Sequence, residues 1–441
     1  MRTLITVAVV CGVALYGMVA PVISLLGYTW FILMRPDFFS WSQGKFPYSV
    51  VLEVSVWIST IRQLGNLSVL FKSSITRWLI LYHIPLGIST MFAVVPALSS
   101  ALYGEFVRAT IIALLLPVII QTEQHLRWLL ITIAASIGMV GVKFGLWGIL
   151  QGGATFWDGY AGLDNNALAL LLAMGVPFCW FARSFVKPYW AKLTFLAMVF
   201  FCITATIMTN GRGGILAMGT GLLLLILRSK HKVASLAVVA VLAMVPVMIN
   251  MNVLVKRMAT LEVPTADTSI QARLTHINIA LRMSKDYPWH GVGFGNLNYI
   301  AMERRYVSSG VVADQDLGLK VHNGYLQVLV DSGIFALLIF LILLFGTIIR
   351  LQGSIRRCRK HARRLIGYPA AMQTALISYA QYSLGGGRES WGFYYMVLTM
   401  AAAWLIMERS LIESAAGTPV EASIPSRIMI PLRPSAVARA T

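Results

Sequence analysis

The sequence predicts an all-α fold: a polytopic bundle of about 12 or 13 membrane-spanning helices with one long, partly helical segment outside the bilayer. Two observations carry this. Of 441 residues, 58% are hydrophobic and only 12% are charged, about half the charge of a soluble domain. The apolar residues also lie in solid runs, as at 222–227 and 236–247. Inside lipid each backbone amide must be satisfied within a helix or a closed barrel. A barrel strand alternates over about ten residues, and these runs do not.

The expected elements follow in order. Residues 3–34 form an apolar stretch interrupted at Pro21, read as either a tight pair or one kinked helix. Further spans are expected near 48–61, 78–99, 103–120, 128–150, 165–182, 191–209, 213–227 and 233–251. A polar stretch follows, then spans near 324–349, 368–383 and 391–407. The chain thus divides into an N-terminal bundle (1–251), an outer segment (252–322), C-terminal helices (323–413) and a tail (414–441). Rich in Ala, Ser and Pro, the tail is expected to be disordered.

Charge sets the topology. Residues 350–364 hold seven Lys or Arg and no acid. Basic clusters also mark Arg62, Lys72 and Arg77, then Arg183, Lys187 and Lys192, then Arg228, Lys230 and Lys232. Such clusters stay in the cytoplasm, and these four alternate correctly with the spans. The net charge of +19 is therefore topogenic, and a nucleic-acid partner is not expected. The apolar N-terminus lacks a small-residue cleavage site and reads as an uncleaved anchor. Cys11, Cys179, Cys202 and Cys358 show neither metal spacing nor an obvious disulfide pair. Asp314 and Asp316 have no His at ligand spacing. No metal or other cofactor is expected.

The chemistry-bearing residues gather on the outer side. Ile270, Leu274, Ile277 and Leu281 give a helical pattern carrying Arg273 and His276. After Pro288, the glycines Gly291, Gly293 and Gly295 predict a tight, closely packed turn. Their reading as a phosphate loop is poorly supported, because no strand precedes them. His322 and Asn323 stand at the start of the next membrane helix. The free amides and partial positive charge of that end disfavour a protonated imidazole, so a neutral His322 could take a proton from a hydroxyl. Alternatively Asn323 only caps the helix and His322 fills the interface.

The turn at Asn210–Arg212 joins two spans on the same side. Arg212 at a membrane boundary is costly unless paired or wet. Gly213 and Gly214 would let an anion approach the amides that open the next helix, and arginine matches phosphate oxygens in a fork. The plain alternative is a topological arginine on a hairpin. Arg273 could complete an anion site, as could Arg282, Arg304, Arg305 or Arg388.

Taken together, the turn 210–214, the run from Arg273 through Asp286, Pro288, Gly291, Gly293, Gly295 and Asn296, and then His322, Asn323, Leu326, Leu329 and Gly333 resemble the O-antigen ligase and polymerase superfamily in order and spacing. Residues 21–36 and 164–169 look like its branch of exosortase-associated O-glycosylation ligases. Gly211, Ile277 and Ala336 depart from the usual pattern without removing a charged group. The resemblance implies a membrane glycosyltransferase that moves a glycan from undecaprenyl diphosphate to a hydroxyl of lipid A core, protein or polysaccharide. It implies transfer at the periplasmic face of the inner membrane, with inversion and without metal. His322 would be the base. Arg212 and Arg273, with Gly213 and Gly214, would hold the diphosphate, and Asn165, Asn166, Arg282, Asn323 and Arg388 would give support. A polymerase using the same donor is one alternative. A transporter or flippase of lipid-linked glycans is the other; it would need ionisable groups in mid-span, for which Glu53, His83 and Lys143 are the candidates.

Overall fold

A computed structural model describes residues 2–39, 46–151, 160–249, 251, 268–307 and 317–415. Within these, the chain is all helix with no strand. Asp314, Asp316 and the expected disordered tail beyond residue 415 lie outside the described residues.

The helices are α1 (Arg2–Gly17), α2 (Pro21–Met34), α3 (Tyr48–Ile61), α4 (Ser74–Met91), α5 (Pro96–Ile119), α6 (Glu123–Leu150), α7 (Asn165–Phe185), α8 (Tyr189–Met208), α9 (Arg212–Arg228) and α10 (Lys232–Ile249). After them come α11 (Thr268–Asp286), α12 (Asn296–Met302), α13 (Gly324–His361), α14 (Gly367–Tyr382) and α15 (Gly392–Ala415). Seven are long and apolar enough to cross a membrane: α5, α6, α7, α8, α10, α13 and α15. Three shorter apolar helices stand at the N-terminal end.

The stretch 3–34 is a pair of helices, and its break falls just before Pro21, the first residue of α2. Proline suits that position because its missing N–H would be unpaired there anyway. The two helices run back to back, so closely that a Cβ on Gly27 would meet Val13 Cγ1 at 2.3 Å.

Two boundaries differ from expectation. The expected spans 78–99 and 103–120 are instead α4 and α5, separated at residues 92–95 by Pro96. That turn is held from outside: the Val94 amide donates to Val292 O (2.9 Å) and the Val95 amide to Asn298 Oδ1 (2.9 Å). The basic stretch 350–364, expected to be a loop, continues α13 as helix to His361. Arginine, lysine and glutamine are good helix formers, and a helix leaving the bilayer need not stop there.

The core lies where α7, α14 and α15 meet. Their faces are buried nearly all round, as expected of helices at the centre of a bundle. Arg228 ends α9 by donating to Ala370 O at 3.1 Å and to the side chains of Thr374 and Gln373 on α14. Two of the three mid-span candidates, His83 and Lys143, have local partners. His83 bonds Thr110 Oγ1 at 3.0 Å. Lys143 reaches from α6 to Phe38 O at 3.3 Å and lies over the Tyr160 ring at 4.8 Å.

The glycine turn after Pro288 is as tight as the sequence implies, and its partner is a kink. Gly333 breaks α13 with φ 79° and ψ −178°. The amides of Val292, Gly293 and Ile334 donate across the break to Val330 O, Asp331 O and Pro288 O at 2.9, 3.0 and 2.9 Å. The kink thus frees helix carbonyls, and the turn satisfies them.

Candidate active site

Three helices begin around the end of α14. Asp164 caps α7, its carboxylate accepting from the Ala167 amide at 2.8 Å. Gly211 precedes α9. Asn323 caps α13, its side chain accepting from the Leu326 amide at 3.0 Å. Each start presents amides and the positive end of a helix dipole.

The end of α14 ties them together. Gly324 N–H donates to Ser383 O at 2.8 Å, Asn323 Nδ2 to Leu384 O at 3.3 Å and Tyr325 Oη to Ala380 O at 2.9 Å. A Cβ on Gly213 would stand 3.6 Å from the Tyr382 ring. Asn165 Nδ2 donates to Thr209 O at 3.2 Å, joining the starts of α7 and α9. The packing is close: a Cβ on Gly211 would lie 2.6 Å from Asn166 Oδ1, and one on Gly214 would lie 2.1 Å from Ala169 Cβ. Gly211, where the related pattern usually has serine, is thus the residue that leaves room for Asn166.

Arg388 completes this rim. It pairs with Asp164 at 2.6 Å and acts on the Tyr382 hydroxyl together with Asp164 and Arg273. Burial alone would raise the Asp164 carboxyl, but Arg388, the Ala167 amide and Lys320 outweigh it and hold it below the usual carboxylate range.

His322 is half-buried, with its backbone in the left-handed region at φ 56°. Asn210, beside Arg212, is likewise left-handed at φ 53°. Such positions favour glycine and, among other residues, mainly Asn, Asp and His. Burial first, then the charges of Arg273, His276 and Lys320, push the imidazole down to about 4, with Asp164 opposing. Burial and the neighbouring Arg273 and Lys320 thus favour the neutral imidazole.

Arg273 projects from α11, the helix that the apolar pattern predicts. Of the residues in that pattern, Leu274 and Leu281 are 56% and 45% exposed. The buried face instead carries Ala272, His276, Ile279, Ala280 and Met283. The reason is polar. His276, fully buried, bonds Tyr299 Oη at 2.8 Å and lies 3.7 Å from Glu303 Oε2. Glu303 in turn accepts from the Gly318 amide at 2.5 Å. Burial raises the Glu303 carboxyl, against the Gly318 amide, His276 and Arg304. This network turns α11 so that Arg273 faces the His322 side.

Arg273, His322, Asn323, Gly213, Asn165, Asn166 and Arg388 are therefore brought to one region, with Arg212 beginning α9 beside it. Arg282 is not. It lies nine residues beyond Arg273, about half a turn around the helix, and is exposed. Arg304 and Arg305 are exposed on a separate 3-10 turn. Tyr382, Asp164 and Lys320 escaped the sequence reading; the Asp164 cap ahead of Asn165 was the available signal. Among the described residues no group of three His, Cys, Asp or Glu side chains is placed to hold a metal ion.

No curated protein matches this chain. Residues 1–169, which include Asp164, Asn165 and Asn166, match a family of unknown function (DUF5935). Residues 197–341, which carry Arg212, Gly213, Gly214, Arg273, His322 and Asn323, match the family model described as O-antigen ligase, so the segment holding most of the site is similar to a family of membrane ligases that transfer glycosyl groups.

Proposed function

We propose that this protein transfers a glycan from undecaprenyl diphosphate to an acceptor hydroxyl at the periplasmic face of the inner membrane. The observation that carries the reading is the gathering of His322, Arg273, Arg388 and the starts of α7, α9 and α13 around the end of α14. In the reaction the acceptor oxygen bonds to the anomeric carbon as the bond from that carbon to the diphosphate oxygen breaks. The acceptor proton passes to neutral His322. Negative charge grows on the departing diphosphate, where Arg212 and Arg273 stabilise it. Helix amides beside Gly213 and Gly214 add fixed positive potential. Inversion follows from a single displacement. Lipid A core, a protein hydroxyl and a polysaccharide end all offer the nucleophile this chemistry needs.

The test separates donor binding from transfer. His322→Ala is expected to abolish transfer and leave binding of the lipid-linked donor nearly intact. Arg212→Ala is expected to weaken both, with transfer down about 10²–10³-fold. Arg212→Lys should recover only part, because lysine keeps the charge and loses the fork. Full transfer by His322→Ala at normal protein level would end the assignment of this histidine as base.

A further inference from the structure

At the end of α13 away from the candidate site lies an open cavity of about 500 Å³, lined by Lys72, Ser73, Ser74, Arg350, Gly353, Arg357, Leu405, Ile406 and Glu408. Arg350 is 17 residues beyond the kink at Gly333, about 26 Å along an ideal helix, so the cavity opens well away from the candidate site. Its charge is unbalanced. Glu408 is engaged by Arg357 in a two-pronged pair of 2.6 and 3.1 Å. Among the described residues neither Lys72 nor Arg350 has a carboxylate partner; Arg350 donates to the Ser74 hydroxyl. Ser73 and Ser74 also begin α4, whose positive dipole end faces the same space.

We infer that this cavity holds the phosphate of an anionic phospholipid headgroup drawn from the surrounding leaflet. Lys72, Arg350 and the opening of α4 supply the charge and the donors such a group needs. The immediate surroundings select a lipid over a free ion. Phe71 and Ile349, the neighbours of Lys72 and Arg350, are 64% and 70% exposed, and Leu405 and Ile406 form an apolar wall. A headgroup in the cavity would therefore have its acyl chains against apolar side chains.

Gly353 allows a direct test, because a Cβ there would meet only the flexible Arg357 Nη1, at 3.3 Å. Full-length Gly353→Cys protein is treated with a maleimide in nanodiscs of phosphatidylcholine, with and without phosphatidylglycerol, and in phosphatidylcholine with inorganic phosphate. Labelling of the unsubstituted chain is subtracted. Phosphatidylglycerol is expected to slow labelling at least fivefold, and Lys72→Gln with Arg350→Gln is expected to remove that protection. Equal protection by phosphatidylcholine, equal protection by phosphate alone, or protection that survives the double substitution would each overturn the assignment. Should the cysteine variant fail to fold, native mass spectrometry of the natural chain decides: retention of phosphatidylcholine as tenacious as that of phosphatidylglycerol refutes the proposal.

Discussion

Asp164 and Arg388 form an ion pair of 2.6 Å between the cap of α7 and the segment leading into α15, 224 positions apart in the chain. The pair joins a residue inside the N-terminal match of unknown function to one beyond the ligase match. The first half of the chain therefore takes part in the candidate site.

Asp164→Asn keeps an oxygen that can cap α7 and loses the charge. The Asp164 side chain is half-exposed, and pairs of that kind contribute at most about 1 kcal/mol to stability. The thermal midpoint should barely move while transfer falls several-fold. Asp164→Asn combined with Arg388→Gln should be no worse than Arg388→Gln alone. Fully additive losses in transfer would show that the two residues act independently.

The pH dependence follows from His322. Its folded value of about 4 lies below the ordinary 6.5, so the folded protein keeps the imidazole neutral while the unfolded chain protonates it. This contribution to stability is fully present above about 6.5 and is lost as pH falls toward 4. Transfer should show no break from His322 between pH 6 and 8 and should decline with a midpoint near 4. Arg273→Gln removes a charge that lowers the value, so the midpoint should move up. A pH–rate profile of both proteins checks this; a break near 6.5 in the natural chain would contradict it.

The left-handed backbone of His322 separates strain from chemistry. Glycine adopts φ 56° freely, whereas other residues spend about 1–2 kcal/mol there. His322→Gly is expected to denature no earlier than the natural protein, yet to transfer nothing. Added imidazole should restore part of the rate. Thermal melts and transfer assays with and without imidazole provide the comparison, and a marked drop in melting temperature would argue that the ring itself holds the fold.

Gly333→Ala should be severe. A Cβ there would sit 2.2 Å from Trp289 O, at a φ of 79° that only glycine adopts easily. A loss of about 1–3 kcal/mol from the backbone alone is expected, with the clash in addition. Gly219→Ala, in open space on α9, is the control and should be neutral or stabilising by about 0.5–1 kcal/mol. Equal melting temperatures for the two variants would mean that the kink is not fixed as described.

The all-helical architecture was legible because lipid leaves a sequence few choices: long, solid apolar runs can only be helices. Arg212, Arg273 and His322 stood out in the sequence because each stands where a polar group needs a reason to be. The orientation of α11 was not legible. The partner of His276 is Tyr299, distant in sequence and visible only once folded. Pro96 marked the true start of α5, but the apolar run passed straight through it. Tyr382 carried no signal at all, being one aromatic in an apolar helix whose value comes from where α14 ends.

The dependence of Asn323 and Gly324, which follow His322, on the carbonyls of Leu384 and Ser383 also orders events in time. A ribosome making this chain completes the histidine about sixty codons before the carbonyls that hold the two residues after it. Until α14 and α15 are inserted, the nascent chain has the histidine and both arginines but not the enclosure that orients them. Catalytic competence would then arrive late in synthesis, so truncated products from interrupted translation should be inert toward the lipid-linked donor.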